Sequence, residues 1–506
     1  MIASMARRAL LDWRVGAIVL GILAAAIYWP AMNRVFAADQ LWYFAEVGGH
    51  DSLALGLRHV DYAVSRVYWK GDDLLFRPIL FIWLAIANRL FSYHHVWWNV
   101  ANLAIHLGVA VAMLRLLLAI RPSLLALPAA VLFLVLEPPM ELVLWNHLGG
   151  YMLACLFLAV GLRSFVRLTD GSATSYAGFA ATFTLAGLSY EAMVPIAAAA
   201  ALMLFVRRPP SGRVRGRACL LVPVATYVVL YAFHVTHAER PGYVDRADGR
   251  SPFDIGNTGA LLYGIGRMVE AWTRELVMPS ALRLWSAPFE RFAKDFHISW
   301  TEPLQLVNAL VVLAGLVIVL RSVSRVRLRQ VAPLVVLLGT AIFAYAFVIA
   351  FGRSANEVAA ITYYSYVFSV LAVPLVYALV DFERLRRPTI VTAAVLLCGF
   401  AAIHAIGTAA NARGVGLANR DASLFLTRLS AFVDQHRTEH DFSFAIEPHA
   451  ESLDPTIGLV VGYPGDPGNA VLQKRVTEIL FSPDYSGREP KYLLSASAER
   501  IVKQSR

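Results

Sequence analysis

From residue 15 to residue 410 the chain returns repeatedly to apolar runs that carry almost no charge. Such a run crosses a bilayer only as a helix, because the hydrocarbon core offers no water to unpaired backbone groups. A crossing takes about 20 apolar residues. Runs that meet or nearly meet that length begin near Val15, Val96, Ser123, Leu148, Ser172, Ala192, Ala218, Pro303, Val331, Ala359 and Thr389, about eleven in all. Charged residues make up 16% of the 506 and hydrophobic ones 58%. A soluble chain carries about 25% charge, so a string of soluble domains is excluded. The expected fold class is an all-α polytopic membrane protein.

A twelfth apolar stretch, Phe76 to Phe91, is shorter and contains Pro78, Asn88 and Arg89. Charge decides whether it crosses, because lysine and arginine accumulate in cytoplasmic loops. If it does not cross, one side of the membrane holds Arg7, Arg8 and Arg14, then Arg115 and Arg121, then Arg163 and Arg167. The same side holds the clusters at Arg207–Arg217, Arg321–Arg329 and Arg384–Arg387, and the short links opposite keep only Arg353. If it crosses, every later loop changes sides and the rule fails throughout. Phe76–Phe91 is therefore read as a re-entrant or interfacial helix, with the N-terminus cytoplasmic and the C-terminus outside. The net charge of +10 belongs to these loops and implies no nucleic-acid partner. The first run is read as a membrane helix, being long for a signal peptide.

Residues 1–410 then form the membrane domain, with outside loops at about 37–95 and 237–302. Residues 411–506 form a small α/β domain outside the membrane. Its expected elements are an amphipathic helix near Ser423–His436, a strand near Ile457–Gly462 and a helix from Ala470, separated by a Pro-Gly-Asp-Pro-Gly-Asn turn. Cys155, Cys219 and Cys398 all lie in apolar runs, so no disulfide framework or metal cluster is expected from them.

Carboxylates collect on the outside face. Asp39 follows the first run, and Asp72 and Asp73 precede Phe76-Arg77-Pro78. Glu137 and Glu141 share the next outside link with His147, and Glu191 follows in LSYEAMVP. Any one acid at a helix end is ordinarily a solvated cap, and Asp39 could cap a helix beginning at Leu41. Their convergence on one face is what suggests chemistry. A carboxylate can accept the proton of an attacking hydroxyl, and arginine grips a leaving phosphate through its planar fork. Arg77 and Arg353 are the candidate cations, ahead of Arg58, Arg66 and Lys70. Asn99, Asn102 and His106 share one face of the second crossing, where hydrogen bonding between helices is the expected role. His234 and His404 are expected to be structural.

The run FRPILFIWLAIANRLFSYHHVWWNVANLAIH resembles the arginine-proline segment and following helix of GT-C glycosyltransferases. The likeness is closest to the protein O-mannosyltransferase and tetratricopeptide-type O-mannosyltransferase group. WNHLGGYMLACLFLAVGLRSFVR and GLSYEAMVPIAAAAALMLFVRR are similar to that group's next landmarks, so the resemblance spans about residues 35–210. It implies a GT-C-like membrane domain with Asp39 as catalytic base and a polyprenyl-phosphate sugar as donor. Transfer would invert the anomeric centre, to a glycan, lipid or protein acceptor at the membrane. Arg77 and Arg353 would hold the donor phosphate. Asp72, Asp73, Glu137, Glu141, His147 and Glu191 would contact substrate or acceptor. Some relatives use a divalent metal, which Asp39 with Glu137 or Glu141 would ligate. The late landmark departs from the pattern: Ile361-Thr362, not arginine, precede Tyr363-Tyr364, and Arg353 lies upstream. No tetratricopeptide array follows.

The leading expectation is a glycosyltransferase of a bacterial inner membrane, arginine outnumbering lysine 40 to 5 as in GC-rich genomes. A lipid-linked sugar flippase or a periplasmic polysaccharide polymerase are the alternatives. The arginine pattern makes a direct prediction. Impermeant cysteine labels should reach positions 254 and 485 from outside intact cells, and should reach 213 and 327 only after permeabilisation.

Overall fold

The computed structural model describes residues 11–35, 76–91, 94–136, 138–145, 148–170, 175–207, 214–237, 301–352, 364–381 and 387–420. It also describes residues 266, 385, 423, 424, 427 and 431 and three short strands. The helices are α1 (Trp13–Tyr28), α2 (Pro78–Phe91), α3 (His95–Ile120), α4 (Ala126–Val135), α5 (Pro138–Leu144), α6 (Gly149–Thr169) and α7 (Ser175–Ser189). They continue with α8 (Val194–Arg207), α9 (Val214–His237), α10 (Thr301–Ser322), α11 (Arg325–Gly352), α12 (Tyr364–Leu379) and α13 (Arg387–Ala418). Single 3-10 turns follow α1 at Trp29–Ala31 and precede α8 at Glu191–Met193.

Five helices among the described residues are long and apolar enough to cross a membrane: Trp13–Ala31, His95–Ile120, Gly149–Thr169, Arg325–Val348 and Pro388–Leu417. The chain is thus a membrane-embedded helical protein. Five crossings by this measure fall short of the expected eleven, although each of the eleven runs is helical in whole or part. The shortfall has a physical cause at the third run. Leu136 turns to extended backbone at ψ 148° ahead of Glu137-Pro138-Pro139, so α4 ends after 10 residues, and α5 occupies part of what was expected to be an outside link. Proline removes a backbone donor and forces its predecessor out of helical geometry.

Contacts set the helix directions. Gly149 lies against Asn102 and Gly108 against Leu156, so α3 and α6 run parallel. Gly16 meets Leu114 and Gly21 meets Leu107, so α1 is antiparallel to α3. The residues between α3 and α6 must therefore carry the chain back along the bundle, and the broken pair α4–α5 does this. Thr408 Oγ1 donates to the Val135 carbonyl at 2.8 Å, binding α13 to the end of α4.

The stretch read as re-entrant forms α2, 14 residues and about 21 Å long, less than a ~30 Å hydrocarbon core. Leu80 and Trp83 touch Gly150 and Gly149 at the start of α6, and the Phe91 ring lies 6.1 Å from Trp98 near the start of α3. Both ends of α2 thus contact the same end of the bundle, and the helix lies across it.

Beyond the membrane helices, Phe444–Ile446 pairs parallel with Tyr492–Leu494, which pairs antiparallel with Ile501–Lys503. Ser423, Leu424, Thr427 and Ala431 are helical, within the span expected for the amphipathic helix. The strand expected at 457–462 and the helix expected from 470 lie outside the described residues. The expected domain boundary at 410 falls inside α13, which runs on to Ala418.

The seat of α2 depends on missing side chains. A Cβ on Gly150 would come within 2.7 Å of Leu80 Cβ, and one on Gly149 within 2.6 Å of Trp83 Nε1. Gly150→Leu should displace α2 and cost about 1–3 kcal/mol, the usual range for overpacking. Gly339→Leu is the control, because nothing lies within 4 Å of a Cβ there. Thermal unfolding of both variants in detergent should separate them, with only Gly150→Leu lowering the midpoint.

Candidate functional site

Arg77 is placed by its neighbours in sequence. Pro78 starts α2 and disfavours helical geometry at the preceding residue, so Arg77 stands just outside the helix. Phe76 anchors the approach, its ring 5.6 Å from Tyr227 and 6.1 Å from Tyr231 of α9. Opposite, α7 ends at Ser189 and Tyr190 is extended (φ −157°, ψ 120°). The 3-10 turn beginning at Glu191 then brings the carboxylate to the arginine.

The two form a bidentate pair. Arg77 Nε donates to Glu191 Oε2 at 2.7 Å and Nη2 to Oε1 at 2.6 Å, while Nη1 donates to Tyr151 Oη at 3.1 Å. The guanidinium carbon lies 4.7 Å from the Tyr190 ring centre and 5.1 Å from that of Tyr151. Aromatic faces are negative and stabilise such a cation. The Arg77 side chain is 8% exposed and that of Glu191 23%. Burial by itself would lower the pKa of Arg77. Glu191, Tyr151 and Tyr190 together outweigh it and hold the guanidinium charged well above the ordinary range. Tyr345 backs Tyr190 at 6.3 Å and Phe368 backs Tyr345 at 5.7 Å, so α11 and α12 support the cradle from behind.

At the same end of the bundle, the chain leading toward Asp39 is clamped. Asn99 Nδ2 donates to the carbonyls of Met32 at 2.9 Å and Arg34 at 2.8 Å. Asn33 Nδ2 donates to the Gly416 carbonyl at 2.8 Å, and Asn419 Oδ1 accepts from Val35 N–H at 3.3 Å. Residues 32–35 are thereby fixed between α3 and the end of α13, four residues short of Asp39.

Of the residues singled out in sequence, Arg77 and Glu191 are brought together. Asp39, Asp72, Asp73, Glu137, His147 and Arg353 lie outside the described residues, as do Arg58, Arg66 and Lys70. Glu141 is in α5, and only its backbone is described. Arg77, expected to await a phosphate, already has a carboxylate partner. Asn102 and His106 join helices, as expected: Asn102 Nδ2 donates to the Val143 carbonyl at 3.4 Å, and the His106 ring lies 2.9 Å from Tyr366 Oη and 3.0 Å from the Leu134 carbonyl. His404 is buried against Phe400, its ring nitrogens without hydrogen-bond partners among the described residues. The side chain of His234 is not described. Among the described residues no group of three His, Cys, Asp or Glu is placed to hold a metal.

Sequence reading missed Tyr151, Tyr190, Asn33 and Asn419. A tyrosine beside an acid is too common to mark a cradle, and the two asparagines are 386 positions apart in a chain of 506.

Comparison with known protein families, curated proteins and solved structures gives no match for this chain.

The pair itself can be tested. Removing one partner of a buried ion pair typically costs about 3–5 kcal/mol, because a charge is left uncompensated, whereas removing both often costs far less. Glu191 is partly exposed, which moves the expectation to the lower end. Arg77→Met and Glu191→Met should each lower the unfolding midpoint in detergent more than the double substitution does.

Proposed function

We propose that the protein is an inverting GT-C type glycosyltransferase, moving a sugar from a polyprenyl-phosphate donor to an acceptor hydroxyl on the outer face of a bacterial inner membrane. The observation that carries the reading is the buried Arg77–Glu191 pair in its tyrosine cradle. It sits where the three segments of the sequence resemblance converge, at the end of the bundle toward which residues 32–35 lead. The sidedness follows from the arginine clusters: N-terminus cytoplasmic, C-terminus periplasmic, about eleven passages counting the short and broken helices, and α2 interfacial.

On this reading Asp39 takes the proton from the acceptor hydroxyl. The oxygen attacks the anomeric carbon in line and the C–O bond to the polyprenyl phosphate breaks. Arg77 is kept charged and in place by Glu191 until the donor phosphate shares the guanidinium. Arg353 is the second candidate for that phosphate. Asp72, Asp73, Glu137, Glu141 and His147 are assigned to substrate or acceptor, with Glu191 moved from substrate contact to holding Arg77.

A lipid-linked sugar flippase is the second reading, favoured by a charge cluster at the opposite end of the bundle. There Arg121 Nη1 lies 3.7 Å from Asp381 Oδ1, Ser324 Oγ donates to Asp381 Oδ2 at 2.6 Å, and Arg327 Nε donates to the Ala378 carbonyl at 3.2 Å. Two latches suit alternating access. The registry of α3 with α6 places Arg121 level with Thr169, about 27 Å along α6 from Tyr151.

The purified protein, offered candidate polyprenyl-phosphate sugars and acceptors, separates these readings. A glycosidic product is expected, with Asp39→Asn slower by about 10²–10⁴-fold, as for loss of a general base. Donor binding should survive that change and weaken in Arg77→Ala. Lipid movement without product would support the flippase. Product made at the wild-type rate by Asp39→Asn would move the base to another acid.

A further inference from the structure

Away from the Arg77–Glu191 pair, an apolar cavity of about 520 Å³ opens between α1, α4 and α13. Val19 and Leu23 of α1, Leu127 and Val131 of α4, and Cys398 and Ile406 of α13 are among its lining residues. A second cavity of about 300 Å³ continues it, sharing Leu124 and Cys398 and reaching Ile390. Together they form one groove along α13 from Ile390 to Ile406, about 24 Å at the helical rise.

The groove exists because α13 presents Ala394, Ala401, Ala402 and Ala405 to it, leaving little side-chain bulk. It faces outward, with Cys398, Val395 and Leu124 exposed. Two of its walls, α1 and α13, are among the five helices able to cross a membrane, so the medium outside it is lipid.

Its depth and its ends identify the occupant. One leaflet with its headgroup layer is about 20–22 Å deep, which the groove matches. The end at Leu124 and Ile390 lies three residues beyond Arg121 and three beyond Arg387 in sequence. Arg121 is partly exposed, and its Nη1 lies at a long 3.7 Å from Asp381 Oδ1. Clustered arginines at a membrane surface attract anionic headgroups. The opposite end is apolar throughout.

We propose that this groove holds an anionic phospholipid of the leaflet on the Arg121 side, one acyl chain lying along α13 and the headgroup at Arg121 and Arg387. This site lies at the opposite end of the bundle from the proposed donor site and stands whether or not the protein is a glycosyltransferase.

The test uses the delipidated full-length protein in detergent, titrated separately with phosphatidylglycerol and phosphatidylcholine and followed by native mass spectrometry. Wild type should retain one phosphatidylglycerol under activation that strips other lipids. Ala402→Trp should lose it by filling the groove, while Leu202→Trp, equally bulky at an exposed position of α8, should keep it. Arg387→Gln should weaken phosphatidylglycerol by about fivefold and leave phosphatidylcholine unchanged, as for one arginine near an anionic surface. Without any groove substitution, in a Cys219→Ser background, phosphatidylglycerol should slow maleimide labelling of the exposed Cys398. Undiminished retention in Ala402→Trp, or labelling of Cys398 that lipid does not slow, overturns the site. Equal retention of the two lipids by wild type overturns the anionic headgroup.

Discussion

The bundle depends on how it satisfies the carbonyls freed where α4 and α5 break. A helix that ends inside apolar surroundings leaves C-terminal carbonyls with no water to turn to, and each unsatisfied group costs several kcal/mol there. Here the partners come from other helices. Tyr28 of α1 and His106 of α3 meet the Leu134 carbonyl, and Thr408 of α13 meets that of Val135. Asn102 of α3 faces the carbonyls of Leu142 and Val143 at the end of α5. The break between α4 and α5 therefore fixes the relative placement of three continuous helices.

Charges frame this centre. The Arg77–Glu191 pair and the Arg121–Asp381 cluster lie at opposite ends, separated by roughly the ~30 Å of a hydrocarbon core. Each ties helices distant in sequence: α2 to the turn before α8 at one end, and α3 to the residues after α12 at the other. Between them Asn102, His106 and Thr408 meet backbone carbonyls, whereas the buried His404 ring has no hydrogen-bond partner among the described residues. An ion pair at a boundary keeps some access to headgroups and water, whereas one at mid-bilayer would not. At the α2 end the arginine is the more enclosed of the two, 8% exposed against 20% for Arg121, and its tyrosines replace part of the hydration it loses.

Parts of this arrangement were legible in the residues alone. Asn99, Asn102 and His106 repeat at helical spacing on an otherwise apolar helix, and a polar stripe there has few uses besides bonding neighbouring helices. Pro138-Pro139, with Glu137 and Glu141, read as an outside link after the third run, whereas Pro138–Leu144 forms the helix α5. The shortness of Phe76–Phe91 and the arginine clusters led to a helix that does not span, and α2 has that length and lies across the bundle end. Arg77 and Glu191 were each marked as candidates, but as ligands for substrate rather than for one another.

The sequence by itself determined that the chain is helical and membrane-embedded, because apolar length and the absence of water admit no other backbone arrangement in lipid. It also determined which polar residues face the interior, since helical periodicity is local. Only the tertiary structure decided which of them meet. Arg77 and Glu191 are separated by 114 positions, and Asn33 and Gly416 by 383. Lipid tails are as apolar as the helix faces, so hydrophobicity cannot select one helix partner over another. The selection falls to close approaches such as Leu80 on Gly150 and to a few polar contacts, whose geometry no single segment encodes.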